Sequence, residues 1–184
     1  SSWRFVVYDL LADLAPHETV RLVTWCGVEY RQFDSSRTNA TWERNYLTLS
    51  VWKPLIIHDC LLELPPGGLV LYADSSTRLH SPLSASLVHA AQTIGIVGRR
   101  TASPVAYYTH QAMVIELAKI MRREPATASL PEHPSLRHYM DSPMVCGCLS
   151  LWTNTPFVME RLVGPWIACT SRRACILPRG ADGQ

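Results

Sequence analysis

The segment between residues 52 and 74 constrains the fold more than any other part of the sequence. Apolar residues recur at helical spacing up to Leu64, and a Pro-Pro-Gly-Gly run at 65–68 must then end the helix. The five residues Leu69–Ala73 that follow are apolar without interruption, as expected for a fully buried strand. Asp74 ends this strand with a carboxylate. A helix, a tight turn and a buried strand in direct succession predict an α/β fold.

Strand and helix patterns alternate along the rest of the chain. Strands are predicted at 3–8, 28–33, 93–97 and 145–152, helices at 16–25, 82–91, 109–120 and 156–163, and loops at 34–45 and 98–103. This alternation predicts a three-layer sandwich with a mostly parallel central sheet. Such sheets bind ligands at the carboxyl ends of their strands. Asp9 and Asp74 occupy two of those positions and are therefore candidate ligand contacts.

Composition limits the class of protein. The chain has 184 residues, of which 47% are hydrophobic and 17% charged, and its formal net charge is +2. These values are typical of a globular protein, and residues 1–184 are assigned to a single domain. No basic stripe points to a nucleic-acid partner. No apolar run reaches the roughly 18 residues that cross a bilayer, so membrane association would need an anchor outside this chain.

Two features favour the secretory pathway. Asn39-Ala40-Thr41 has the pattern of an N-glycosylation acceptor within a polar segment. Cys169 and Cys175 lie among polar and basic residues, and a disulfide between them is expected in an oxidising compartment.

The other four cysteines fall into two groups. Cys26 and Cys60 lie in apolar helical stretches and are interpreted as buried thiols. Cys146 and Cys148 flank one glycine, and strand alternation would place both side chains on the same face of the strand. A zinc site would require two further ligands at a matching short spacing, which the sequence does not offer.

Several motifs resemble those of the nucleotide-sugar glycosyltransferases of the GT-A type. Lys53-Pro54 opens the helix, and Asp74-Ser75-Ser76 stands where that family has its Asp-x-Asp signature. Shorter matches follow in the same order along the chain, at 8–10, 109–113, 143–147, 154–157, 165–169 and 175–178. The later matches are similar to an uncharacterised animal branch of the family.

The resemblance implies a GT-A-like fold and the transfer of a hexose from a UDP- or GDP-linked sugar to a glycan or protein acceptor. It also implies Mn²⁺ or Mg²⁺, because the carboxylates of the signature hold a divalent cation that clamps the diphosphate and helps it leave. The full-length enzyme would be a type II membrane protein of the Golgi lumen. The implied contacts are Asp74 with the metal, Lys53, Asp74, Ser76 and Arg78 with the nucleotide diphosphate, Asp9 with the base or ribose, and Asp141 and Gly147 with the acceptor.

Three departures from the family pattern alter these implications. Ser76 replaces the second carboxylate of the signature, and a hydroxyl is a weaker cation ligand. The strand that normally precedes Asp9 and the segment that normally follows the last motif are both missing, so a fragment of a longer chain is expected. The alternative is a catalytically inactive relative that serves as a binding or scaffolding module on the same fold.

Overall fold

The computed structural model describes residues 3–26, 28–38, 50–109, 111–122 and 140–176. The predicted glycosylation acceptor Asn39 lies outside these residues, as does His110 within the motif at 109–113. The described residues form a mixed α/β structure. The chain divides into two compact units, Ser1–Trp52 and Lys53–Gln184, and the assignment of 1–184 to a single domain stays a prediction.

A strand-helix-strand motif forms the N-terminal unit. Strand β1 (Val6–Asp9) leads through helix α1 (Pro16–Cys26) to strand β2 (Glu29–Gln32), which pairs with β1 in parallel. Helix α1 begins at a proline, which suits the first helical turn. The carboxylate of Glu18 stabilises the same turn, since its Oε2 accepts a hydrogen bond of 3.0 Å from the Ala15 N–H. The order of these three elements is the one that the sequence predicts.

The C-terminal unit begins with helix α2, whose first residue is the last of the N-terminal unit. In chain order its elements are α2 (Trp52–Leu62), β3 (Leu69–Ala73), α3 (Ala85–Ile94), β4 (Ile96–Pro104), α4 (Val105–Tyr108), α5 (Gln111–Arg122), β5 (Pro143–Thr153), α6 (Pro156–Val158), α7 (Gly164–Thr170) and α8 (Arg173–Ile176). A π-helical turn, Met159–Val163, joins α6 to α7. Within the described parts of the chain, no helix is long and apolar enough to span a membrane.

An antiparallel sheet with the strand order β3-β5-β4 organises the C-terminal unit. Leu69 at the start of β3 lies opposite Thr153 at the end of β5, and β4 pairs with the other side of β5. The prediction of a mostly parallel central sheet is therefore wrong for this three-stranded sheet, although β1 and β2 of the N-terminal unit do pair in parallel. β3 and β4 do run in the same direction and α3 connects them, but β5 lies between them and is antiparallel to both. The alternation of helix and strand patterns along the sequence does not indicate that β5 lies between β3 and β4.

Two further predictions fail at the edges of this sheet. The sequence predicts a fully buried β3, but Tyr72 is its one buried residue, because β3 is an edge strand. The sequence also predicts a loop at 98–103, which instead forms most of β4. Gly98 is needed there for close packing, since a Cβ at this position would clash with Val145 Cγ1.

The core of the C-terminal unit combines apolar side chains from α2, β5 and the last helices. Its most deeply buried side chains include Ile57, Leu61, Leu151, Val158 and Val163. Two polar side chains tie neighbouring elements to the end of β5. Thr153 Oγ1 donates to Ala91 O of α3 at 2.8 Å, and Asn154 Nδ2 donates to Leu64 O, just beyond α2, at 2.7 Å.

A disulfide between Cys169 and Cys175, the pair named from the sequence, joins α7 to α8. Both cysteines are buried, with exposed fractions of 6% and 0%. Trp166 of α7 stacks on Trp152 of β5, with ring centroids 5.9 Å apart. Helix α5 packs against α7 and α8, so the bridge lies within a helical layer beside the sheet.

Truncation of Leu61 should destabilise the protein strongly. This side chain is completely buried, whereas the side chain of the next residue, Leu62, is 63% exposed. Leu61→Ala should therefore lower the free energy of unfolding by about 2–5 kcal/mol, through lost burial and the cavity left behind. Leu62→Ala should change it by less than about 0.5 kcal/mol, and urea unfolding measures both variants. Equal losses would contradict the orientation of α2.

Candidate functional site

Three side chains, from α2, from β3 and from the residue that follows β3, meet at the carboxyl end of this strand. The ammonium Nζ of Lys53 lies 3.1 Å from Asp74 Oδ1 and 3.3 Å from Asp74 Oδ2. The hydroxyl of Tyr72 donates a hydrogen bond to Asp74 Oδ1. Lys53 also lies over the Tyr72 ring, 5.3 Å from its centroid. This group of Lys53, Asp74 and Tyr72, called here the β3-end cluster, therefore combines an ion pair with a phenol donor.

The sequence builds this cluster through strand alternation and a turn. Tyr72 and Asp74 are two residues apart, so their side chains leave the same face of the extended chain. The backbone of Asp74 is fixed on both sides: its N–H donates to Cys148 O at 2.9 Å, and its carbonyl accepts the Thr77 N–H at 2.8 Å. Lys53 lies in the first turn of α2 and reaches the cluster from the adjoining helix.

A backbone carbonyl of β5 is the fourth partner of the cluster. Lys53 Nζ donates a hydrogen bond of 3.1 Å to Gly147 O. A Cβ added at Gly147 would lie 3.8 Å from the same Nζ, so the ammonium lies beside this strand. The Lys53 side chain is 13% exposed and the Asp74 side chain 29% exposed. The Lys53 ammonium is thus largely shielded from water, while the Asp74 carboxylate remains partly exposed to solvent.

The phenol of Tyr72 is held in its protonated form. Burial raises the pKa of Tyr72 far above its ordinary value, and the hydrogen bond to the Asp74 carboxylate adds to the rise. At physiological pH, Tyr72 is therefore a hydrogen-bond donor to Asp74. The charges of Lys53 and Asp74 cancel, so the β3-end cluster has no net charge as it stands.

The structure brings together three of the site residues named from the sequence, Lys53, Asp74 and Gly147. Ser76 and Arg78 are exposed in the segment that follows β3, and Asp141 is exposed just before β5. Their predicted contacts with diphosphate and acceptor stay predictions. Tyr72 was not among the site residues predicted from the sequence, although its position two residues before Asp74 was the available signal.

Asp9, the remaining site residue, has its carboxylate satisfied within the N-terminal unit. Its Oδ2 accepts hydrogen bonds from Tyr30 OH at 2.8 Å and the Leu14 N–H at 3.3 Å, and its Oδ1 accepts from the N–H groups of Ala12 at 3.0 Å and Leu11 at 3.2 Å. Burial raises the pKa of Asp9, but these hydrogen bonds outweigh burial and lower the pKa below its ordinary value. This arrangement is typical of a carboxylate that organises a turn, and the predicted contact with a base or ribose stays a prediction.

The residues at the end of β3 offer a metal ion a single charged ligand, the Asp74 carboxylate. Asp74 supplies a carboxylate, and Ser75 and Ser76 supply exposed neutral hydroxyls. In the part of the chain that the structure describes, no group of three or more His, Cys, Asp or Glu side chains is placed to hold a metal ion. Magnesium commonly binds through one or two carboxylates together with substrate phosphates. A cation here would therefore depend on oxygen atoms from a ligand.

The cysteines differ from their sequence-based interpretation in two respects. Cys60 is half-buried rather than fully buried, and the Cys26 side chain lies outside the described residues. Cys146 and Cys148 form a disulfide within β5, a pairing that was not predicted from the sequence. The sequence feature that could have indicated this disulfide is the spacing of the two cysteines, which places both side chains on one face of the same strand.

Comparisons of this chain with protein-family models, with curated proteins and with solved structures find no significant match to any of them. A functional conclusion therefore depends on the geometry of the site and on the motifs.

Replacement of Asp9 should weaken the N-terminal unit in a pH-dependent way. The pKa of Asp9 is lowered in the folded protein, so its ionised form stabilises that state. This contribution is fully present above the ordinary carboxyl pKa of about 3.9 and is lost as pH falls through the folded-state pKa. Asp9→Asn should cost about 1–3 kcal/mol at pH 7, and the difference from the wild type should shrink below about pH 4.

Urea unfolding at pH 7 and pH 3 measures this effect. Asp13→Asn is the matched control, since Asp13 is exposed. A deficit of Asp9→Asn that is equally large at both pH values would contradict the role given to the ionised carboxylate.

Proposed function

We propose that this chain is a glycosyltransferase-like module that binds the diphosphate group of a UDP- or GDP-linked sugar at the end of β3. The observation that carries the proposal is the position of Lys53. Its ammonium is 13% exposed and is fixed between the Asp74 carboxylate and Gly147 O. A positioned ammonium is a common recognition group for phosphate. The motifs at 53–54 and 74–76 supply the resemblance to GT-A enzymes that suggests the nucleotide sugar.

Charge balance specifies how a diphosphate could bind at this cluster. Lys53 and Asp74 neutralise each other, so an approaching anion meets both an attractive ammonium and a repulsive carboxylate. Binding is favoured if Asp74 holds Mn²⁺ or Mg²⁺ and Lys53 turns from Asp74 to a phosphate oxygen. The cation would neutralise the charge of the diphosphate. Asp74 can accept it because its side chain retains 29% exposure.

The other predicted contacts extend this proposal along the chain. Ser76 and Arg78 follow β3 directly and would contact the diphosphate, since both are exposed. Gly147 and Asp141 would lie on the acceptor side. The hydrogen bond between Lys53 and Gly147 O supports an acceptor site close to the diphosphate.

Binding without transfer is the favoured form of the proposal. Ser76 replaces the second carboxylate of the signature. The first carboxylate, that of Asp74, is already paired with Lys53 and accepts a hydrogen bond from Tyr72. Such a site holds a metal ion more weakly than a pair of carboxylates does. The chain is then a binding or scaffolding relative of GT-A enzymes in the secretory pathway.

Hexose transfer to a glycan or protein acceptor in the Golgi lumen is the second candidate. The open side of Asp74 favours it, because a single carboxylate together with phosphate oxygens can hold a divalent cation.

Calorimetric titration with UDP and GDP, with and without Mn²⁺, tests the proposed site. The wild-type chain should bind the nucleotide in the presence of Mn²⁺ and much more weakly without it. Lys53→Met should weaken binding by about tenfold or more, the amount expected when a charge-assisted hydrogen bond is lost. Asp74→Asn should abolish the benefit of Mn²⁺ and improve metal-free binding, since it releases Lys53 from its carboxylate partner.

Lys119→Met is the matched control for Lys53→Met. Lys119 is also a buried lysine in an ion pair, 2.7 Å from Glu116 Oε1 on α5. This variant should bind nucleotide as the wild type does. Absence of heat from the wild type with either nucleotide and Mn²⁺ would contradict the proposal. Hydrolysis or transfer of the sugar from the intact donor would identify an enzyme rather than a binding module.

A further inference from the structure

The disulfide between Cys146 and Cys148 differs from the other bridge in exposure and span. Gly147 alone separates the two cysteines, whose Cα atoms are 5.3 Å apart. Both are half-buried, whereas Cys169 and Cys175 are buried. A disulfide stabilises a fold mainly by closing a loop in the unfolded chain, and the effect grows with loop length. A bridge across a single residue therefore contributes little to stability, and a structural role alone explains it poorly.

This disulfide lies where β5 departs from regular pairing. Gly98 of β4 pairs with Ser150 of β5, and Arg100 pairs with Val145. Two residues of β4 are therefore matched by five residues of β5. The surplus residues form an irregularity that includes the Cys-Gly-Cys segment. β-Bulges of this kind are enriched near functional sites, because they change the direction of side chains and interrupt the ladder. The bridge is thus in a distorted part of the central strand and is partly open to solvent.

The polar groups around the bridge distinguish its two sulfur atoms. The N–H of Cys148 donates a hydrogen bond of 3.2 Å to Cys146 Sγ. A donor of this kind stabilises negative charge on sulfur. Lys53 donates to the carbonyl of Gly147 between them, which brings an ammonium to the same short segment. Cys146 is therefore the better leaving group when the bridge is reduced and the better nucleophile once it is open.

We propose that Cys146 and Cys148 are a redox-active pair that exchanges with a small thiol of the glutathione class. The thiolate of one glutathione attacks Cys148 Sγ, the Cys146–Cys148 bond breaks, and its electron pair leaves on Cys146 Sγ, which takes a proton from water. A second glutathione thiolate then attacks the glutathione sulfur of the mixed disulfide and releases Cys148 as a thiolate, which takes a proton from water. Two glutathione molecules are oxidised to one glutathione disulfide, and the cysteine pair gains two electrons and two protons.

The test of this exchange contains no nucleotide, so its outcome does not depend on the proposed nucleotide site. The intact 184-residue chain is incubated in buffers of defined reduced and oxidised glutathione, alkylated at intervals and analysed by peptide mass spectrometry. Cys169–Cys175 serves as the internal control, since it is buried in the same molecule. The Cys146–Cys148 bridge should open at least about tenfold faster than the control, because exchange requires access of the attacking thiolate. Opening of both bridges together, or of neither, would overturn the proposal.

Two single variants test which sulfur is the nucleophile. Cys148→Ser leaves Cys146 beside the N–H of residue 148, and Cys146→Ser leaves Cys148 without that donor. With oxidised glutathione, the mixed disulfide should form about tenfold faster at Cys146 than at Cys148, following the greater thiolate character of Cys146. Equal rates, or faster reaction at Cys148, would contradict the assignment of Cys146. The measurement on the wild-type bridge stands even if either variant folds poorly.

Discussion

Pairing on both sides of β5 is the constraint on which the C-terminal unit depends. One side of the strand pairs with β3 and the other with β4, and among the described strands β5 is the sole partner of each. Its irregular segment also supplies the carbonyls that fix Asp74 and Lys53, through Cys148 O and Gly147 O. Thr153 at the end of β5 holds α3, and Asn154, the next residue, holds the segment just beyond α2. The β3-end cluster therefore depends on β5, although none of its three side chains comes from that strand.

Local patterns in the sequence predict the elements well and their arrangement poorly. Helix α2, strand β3 and the N-terminal strand-helix-strand order follow from periodicity and from proline and glycine positions, which act over a few residues. The direction of β5 between β3 and β4 depends on contacts between distant segments, and nothing in its own alternation encodes it. Gly98 illustrates a second limit. A glycine that permits close packing against Val145 has the same signature in sequence as a glycine in a loop.

The same distinction applies to the candidate site. Lys53, Asp74 and Gly147 could each be named from motifs, and the structure brings them within hydrogen-bonding distance. The ion pair that cancels the charges of Lys53 and Asp74 could not be predicted, since it depends on how α2 packs beside β3. For Asp9, the sequence suggests a ligand contact that the hydrogen bonds of the structure do not favour. A carboxylate at the end of a strand suggests a ligand contact, but the sequence cannot show that Tyr30 and three backbone N–H groups already occupy it.

The central position of β5 also has a consequence for synthesis on the ribosome. Leu69 pairs with Thr153, which lies 84 positions later in the chain. At translation rates of about 5–20 residues per second, β3 leaves the ribosome roughly 4–17 s before its partner strand is complete. During that interval the edge of β3 that pairs with β5, and its apolar side chains, lack their native partner, a state that favours aggregation. The nascent chain is therefore expected to need protection by chaperones until β5 has emerged.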